Sequence, residues 1–266
     1  MILHQLIEQQ SKLSPNREAL ADSSGRETFA ELADRARRLG AALHRLGVRH
    51  QDRVAVVLSN RNEFVELYVA CEMAGFIIVP INTRLAPAEI SRILADCVPR
   101  AVVFESEFAS AVAGVQQDLS YRPALVCIGP SSEGAAEFEE IITTAAGSGT
   151  PTRGDAGDLI AIIYTSGTTG HPKGVMRTQA ADTALADCMS REIALTAESR
   201  TLITMPLFHM GGRGLQLAQR WIGGACVLHK RFDPTQALAT IEHERITHAH
   251  KVELRTRYAR ATGVKD

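Results

Sequence analysis

Between Thr28 and Gly47 the apolar residues Leu32, Ala36, Leu39, Leu43 and Leu46 recur at helical spacing, leaving Arg35, Arg37, Arg38 and Arg45 for a wet face. Thr28 stands three residues before Glu31, the spacing of a capping box, and Gly47 closes the pattern as a C-terminal cap. The run VAVVL (54–58) is short and β-branched and predicts a buried strand. Asn60 or Asn62 is placed to cap the next helix, 63–74, which stops at Gly75. FIIVP (76–80) predicts another strand, closed by a proline that has no N–H to give a ladder. A helix near 87–96 and the strands AVVF (101–104) and LVCI (125–128) continue the alternation.

Strand–helix–strand repetition with short connections predicts an α/β fold with mostly parallel sheets covered on both faces. The stretch TTAAGSGTPTRGDAG (143–157) is small, polar and glycine-rich, and reads as a linker between two stacked α/β lobes, 1–150 and 151–250. The second lobe repeats the grammar: strand 159–165, a polar loop, strand 174–177, helix 179–194 and strand 201–205. An apolar helix near 214–222, strand 225–228, helix 234–244 and a last strand from Ile246 follow.

A chain of 266 residues can bury a sizeable core as one large domain or two modest ones. Lys and Arg total 29 against 30 Asp and Glu, so the net charge of −1 offers no electrostatic footprint for nucleic acid. No apolar run approaches the ~20 residues that span a bilayer, so no transmembrane segment is expected. The N-terminal stretch lacks the basic and apolar regions of a secretory signal. Cys71, Cys97, Cys127, Cys188 and Cys226 are widely spaced and form no CxxC pair; they read as scattered core thiols of a cytoplasmic protein. His243, His248 and His250 lack the spacing and the Cys or carboxylate neighbours of a metal site, and none is expected.

The chemistry concentrates in TSGTTGHPKG (165–174). Gly167, Gly170 and Gly174 let the backbone bend and bring its N–H groups close to a ligand. Thr165, Ser166, Thr168 and Thr169 add adjustable donors, Lys173 adds a positive charge, and no carboxylate in the loop competes for them. Such a set suits a polyanion, most plausibly the phosphates of a nucleotide. A surface turn uses the same residue types, but this loop lies between two apolar strands and carries its cation at the end. It is not a Walker loop, because Lys173 lies between Pro172 and Gly174. Nor is there a dinucleotide fingerprint: Gly212-Arg213-Gly214 has Leu217 where the third glycine belongs.

YTSGTTGHPKGV (164–175) resembles the signature phosphate-binding loop of the adenylate-forming superfamily, which includes acyl-CoA synthetases, luciferases and peptide-synthetase adenylation domains. GFIIVPINTRLAPAEISRIL (75–94), MPLFHMGG (205–212) and FDPTQALATIEHERITHAH (232–250) resemble further segments of its fatty-acyl and aryl-CoA ligases, so the likeness runs from residue 1 to about 250. The resemblance implies the N-terminal part of that family's large domain. It implies ATP-dependent activation of a fatty or aryl carboxylic acid to an acyl-adenylate, then transfer to CoA, with Mg²⁺ assisting. It assigns the β- and γ-phosphates of ATP to Thr165, Ser166, Gly167, Thr168, Thr169, Gly170 and Lys173, leaving His171 as an exposed loop residue. It places His209 in the acyl channel, with Gly211 and Gly212 opening room beside it; without the resemblance, a His between Phe208 and Met210 reads as a core histidine.

Other family segments have no counterpart here: the aromatic-Gly-x-Thr-Glu stretch for adenine and metal, the ribose-binding Asp, and a C-terminal domain with a catalytic Lys. From Lys251 the pattern breaks into KVELRTRYARATGVKD (251–266), a basic tail with almost no buried stripe, which reads as a frameshifted or early-ended frame or as a genuine short variant. Two functions are therefore weighed: the front part of an acid–CoA ligase, and a nucleotide-binding or interaction chain without turnover. No sequence feature fixes a catalytic residue.

Overall fold

The computed structural model describes residues 2–112, 121–130, 134–145, 154–165 and 173–250. Helix α1 (Leu3–Leu13) and the hairpin of β1 (Glu18–Ala21) and β2 (Arg26–Thr28) precede α2 (Phe29–Arg45). Glu31 N–H donates to Thr28 Oγ1 at 3.2 Å and Thr28 N–H to Glu31 Oε2 at 2.8 Å, the reciprocal cap expected from the sequence. There follow β3 (Arg53–Val57), α3 (Asn62–Ala74), β4 (Ile77–Pro80), α4 (Pro87–Cys97), β5 (Ala101–Glu105), β6 (Ala124–Ile128), β7 (Ala136–Glu137) and α5 (Phe138–Thr144). The rest comprises β8 (Leu159–Thr165), β9 (Lys173–Thr178), α6 (Gln179–Glu192), β10 (Arg200–Ile203), α7 (Met210–Ile222), β11 (Ala225–Leu228), α8 (Pro234–His243) and β12 (His248–Ala249).

These strands form a seven-stranded sheet, β7-β6-β5-β3-β4-β8-β9, and a five-stranded sheet, β12-β10-β11-β1-β2. Every pairing is parallel except β8–β9 and β1–β2, so the expected α/β fold with mostly parallel sheets is observed. Burial on both faces follows the period of two in β3. Val54 and Val56 join the cluster of Phe29, Phe64 and Leu67 from α2 and α3, whereas Ala55 and Val57 join Ile90 and Leu94 from α4.

Sheet membership does not divide at residue 150. Strand β1 pairs with β11 (Leu20 opposite Cys226), and β8 pairs with β4 (Ile78 opposite Ala161), so residues from both sides of that boundary build both sheets. Each crossing covers a strand edge that its own half of the chain leaves open. Of the expected linker, Thr143 and Thr144 close α5, while 146–153 lie outside the described residues. The basic tail, 251–266, also lies outside them.

Three local expectations need correction. Neither Asn60 nor Asn62 caps α3 through its side chain: Arg61 holds the cap position, and Asn62 N–H donates to Asp22 Oδ2 at 2.9 Å. Arg35 is no solvated charge; it ties α2 to Glu66 of α3 at 3.0 Å and to Glu139 of α5 at 2.7 Å. Cys188 is exposed, whereas the other four cysteines are buried as read. Among the described residues no helix is long and apolar enough to cross a membrane, and no group of three or more His, Cys, Asp or Glu is placed to hold a metal.

Candidate functional site

Parallel strands carry their C-terminal ends to one edge of a sheet, where ligands of open α/β folds bind. Here side chains join the two sheets at those ends. Asn60, two residues beyond Leu58, donates from Nδ2 to Met205 O at 2.9 Å and accepts from Leu207 N–H at 2.8 Å. Tyr68 of α3 donates its hydroxyl to Leu207 O at 2.9 Å. The segment before α7 is thus held by three bonds, two from the loop after β3 and one from α3. Lys230, just after β11, bridges to Glu107 at 2.8 Å and to Glu105 at the end of β5 at 3.5 Å.

A cavity of about 700 Å³ opens here, with Asn60, Arg61, Glu105, His229 and Lys230 in its wall. A second, of about 250 Å³, adjoins Thr83, Arg84, Phe108, Pro206, Phe208 and Lys230. Burial opposes ionisation of Glu105, but the Ser59 N–H at 2.9 Å, Lys230 and Arg61 outweigh it and hold the carboxyl below its ordinary range. Burial lowers His229, so this imidazole stays neutral; its Nε2 bonds Thr240 Oγ1 at 2.9 Å.

The expected phosphate loop leaves the seven-stranded sheet at this same end, because β8 runs parallel to β4 and finishes at Thr165. Lys173 opens β9 directly opposite Thr165 in the antiparallel pair, and both residues are exposed. Ser166, Gly167, Thr168, Thr169, Gly170 and His171 lie outside the described residues. Tyr164 anchors the end of β8 by donating its hydroxyl to Asp96 of α4; burial and that carboxylate both push its phenol up, which keeps the donor protonated. Gly174 is required by close approach: a Cβ there would stand 2.6 Å from Ile162 Cγ2 and 3.3 Å from Tyr164 Cζ. Lys173 is not in the wall of either cavity.

His209 holds the N-cap position of α7 and is exposed, its ring 6.1 Å from that of Phe208. The glycines beside it do not open room. A Cβ on Gly211 would meet Met205 Cε at 2.2 Å, and one on Gly212 would meet Pro206 O at 2.5 Å and Met205 O at 2.6 Å. Gly212 lets the helix start pack directly on the Met205–Pro206 backbone, and Gly211 lets it pack on the Met205 side chain. Phe208, rather than His209, faces the smaller cavity.

A family model described as AMP-binding enzyme matches residues 7–253. The chain belongs to the AMP-binding enzyme family. Indoleacetate–CoA ligase of Aromatoleum aromaticum is 33% identical over 250 residues, covering 93% of this chain and 49% of that protein. An anthranilate CoA ligase solved with anthranoyl-AMP superposes with a TM-score of 0.88 at 27% identity, covering 94% of this chain and 49% of that one. The o-succinylbenzoate CoA synthetase of Bacillus subtilis, solved with ATP and magnesium, gives a TM-score of 0.76 at 26% identity, over 92% and 62% of the two chains. The chain spans about half the length of the curated relatives it matches.

Sequence reasoning missed Asn60 and Tyr68, which hold the segment before α7. Asn60 was read as a cap. Arg213 and Arg220 offered a further signal, being charges inside a helix whose other residues are apolar, Gly or Gln and which ends at Ile222.

Proposed function

We propose that this chain carries the phosphate-binding part of an ATP-dependent carboxylic acid–CoA ligase acting on an aryl or fatty acid. The observation that carries the reading is the hairpin of β8 and β9. It brings Thr165 and Lys173 opposite one another at the sheet end where Asn60 and Tyr68 hold Leu207, and the chain between Thr165 and Lys173 is rich in hydroxyls and glycine. Relatives named for indoleacetate and ferulate favour an aryl acid, and one named for long-chain fatty acids keeps the fatty alternative open.

In this reading Thr165, Lys173 and the loop between them grip the β- and γ-phosphates and orient the α-phosphorus toward the carboxylate. Lys173 offsets charge that accumulates on departing pyrophosphate. Mg²⁺ bound to the nucleotide would supply further charge neutralisation. The loop's donor set, rich in hydroxyls and free of carboxylates, suits phosphate oxygens. Phe208 lines the space for the acid, and CoA is the acyl acceptor.

The test is displacement of a fluorescent ATP analogue bound to the purified chain with Mg²⁺. ATP and pyrophosphate are expected to displace it and adenosine is not. A bound analogue that pyrophosphate cannot displace would remove the phosphate loop from the reading.

A further inference from the structure

The strand that leaves the phosphate loop and the helix that follows His209 are joined through one carboxylate. Asp182, in the first turn of α6, is fully buried. Its Oδ1 accepts from Arg177 Nε of β9 at 2.7 Å. Its Oδ2 accepts from Arg213 of α7, from Nη2 at 2.6 Å and Nε at 3.1 Å. Arg213 is itself fully buried, with its guanidinium carbon 4.0 Å from the centroid of the Tyr68 ring. Tyr68 in turn donates to Leu207 O. One unbroken set of contacts therefore runs from β9, four residues past Lys173, through Asp182, Arg213 and Tyr68 to the segment that ends at His209.

Stability alone is a poor account of this arrangement. Burying an ion pair removes both charges from water, and apolar residues of similar volume usually serve a core as well or better. Arg213 Nη1 even lacks a hydrogen-bond partner. What such a cluster adds over apolar packing is direction: a carboxylate with two fixed lone-pair sets admits one relative placement of two guanidinium groups. Burial opposes the Asp182 charge, but Arg213 and then Arg177 outweigh it and hold the carboxyl below its ordinary range, so the link is ionic at neutral pH.

We propose that Asp182 is a positioning residue: through Arg177 and Arg213 it fixes the arm of the phosphate loop against the acid-side segment 205–209. This rests on the phosphate reading of the loop. In-line attack requires the α-phosphorus and the carboxylate to meet within a fraction of an ångström, and a register error between the elements that carry them is costly.

The experiment uses the whole 266-residue chain. Arg177 is a quarter exposed, so Arg177→Gln leaves the Asp182–Arg213 pair in place and should fold. Arg177→Gln is expected to weaken Mg·ATP roughly tenfold, Arg177→Lys to restore part of the loss, and Asp182→Asn to weaken it similarly. The Arg177→Gln/Asp182→Asn double variant should be no worse than either single change, because both cut one link. Hydrogen exchange supplies a readout independent of nucleotide: Arg177→Gln should raise exchange in the peptide 205–212, on the far side of Asp182. Unchanged exchange there overturns the inference, whether or not Asp182→Asn folds. Additive losses overturn it too, since they would mean that Arg177 meets phosphate directly. If the unsubstituted chain fails to bind Mg·ATP, the phosphate reading falls and the inference with it. If it binds and Arg177→Gln binds equally, only the inference falls.

Discussion

Replacing Asn60 by alanine removes two of the three side-chain bonds that hold the segment between β10 and α7. Leu207 is fully buried, so its N–H would lose the Asn60 oxygen with no water to replace it; an unpaired buried group costs about 1–3 kcal/mol. Met205 is half-buried, so water can reach its carbonyl and the second loss falls at the low end of that range. The sum is about 2–4 kcal/mol, a large share of the ~5–15 kcal/mol that stabilises an ordinary domain. Tyr68→Phe removes one bond to Leu207 O while leaving the ring beneath Arg213, and should cost about 1 kcal/mol. The assay is urea unfolding followed by the fluorescence of Trp221, the one tryptophan of the chain, with far-UV circular dichroism in parallel. With a slope of about 1–3 kcal/mol per molar, Asn60→Ala should move the midpoint down by roughly 1 M. A midpoint unchanged within error would refute the claim that Asn60 holds this segment, and equal shifts for the two variants would refute the accounting by bond number.

Glu27 and Glu66 face one another without a donor for either Oε2 from another residue, so only a shared proton joins them; burial, then the Glu66 charge, raises Glu27 to about 9. Between the ordinary value of 4.5 and about 9 the folded state keeps a proton that the unfolded chain has lost, so this pair makes stability fall as pH rises across that window. Glu27→Gln should flatten the decline in melting temperature and raise it above neutrality, and an unaltered pH profile would count against the shared proton. Strand β9 is an edge of the seven-stranded sheet and exposes Val175 and Met176 at 47% and 66%, a template for pairing between chains. Met176→Lys should slow concentration-dependent aggregation measured by light scattering, and an equal rate would shift the liability elsewhere.

Much of the fold is legible because its strands are buried on both faces. VAVVL, AVVF and ACVL announce themselves locally, and the observed β3, β5 and β11 lie within a residue of those runs. Helix α1 was not among the expected elements, although Leu3, Leu6 and Ile7 share one face. Strands β1 and β2, by contrast, read EALA and RET, with little β-propensity, and exist because β11 offers Leu20 and Ala21 a parallel neighbour more than 200 residues away. Helix α7 begins at Met210 rather than near 214, because Gly211 and Gly212 serve close contact with Met205 and Pro206 instead of breaking the helix. Of the proposed site, residue type and spacing bring out the loop and Lys173. The contacts of Asn60, Asp182 and Arg213 join distant segments, and only a structure reveals them.

The central claim is that the arm between β8 and β9 holds the phosphates of ATP through Lys173. Calorimetric titration of Mg·ATP into the chain and into Lys173→Ala tests it most directly. Lys173 is exposed and pairs with Thr165 of β8 through its backbone position, so truncating its side chain should leave the fold intact. Removing one charge-assisted contact should cost about 1.5–3 kcal/mol, roughly ten- to a hundredfold in affinity. Measurable binding that falls by that factor in a folded Lys173→Ala variant is the predicted result; equal affinity in the two proteins, or no binding by the unsubstituted chain, would contradict the account.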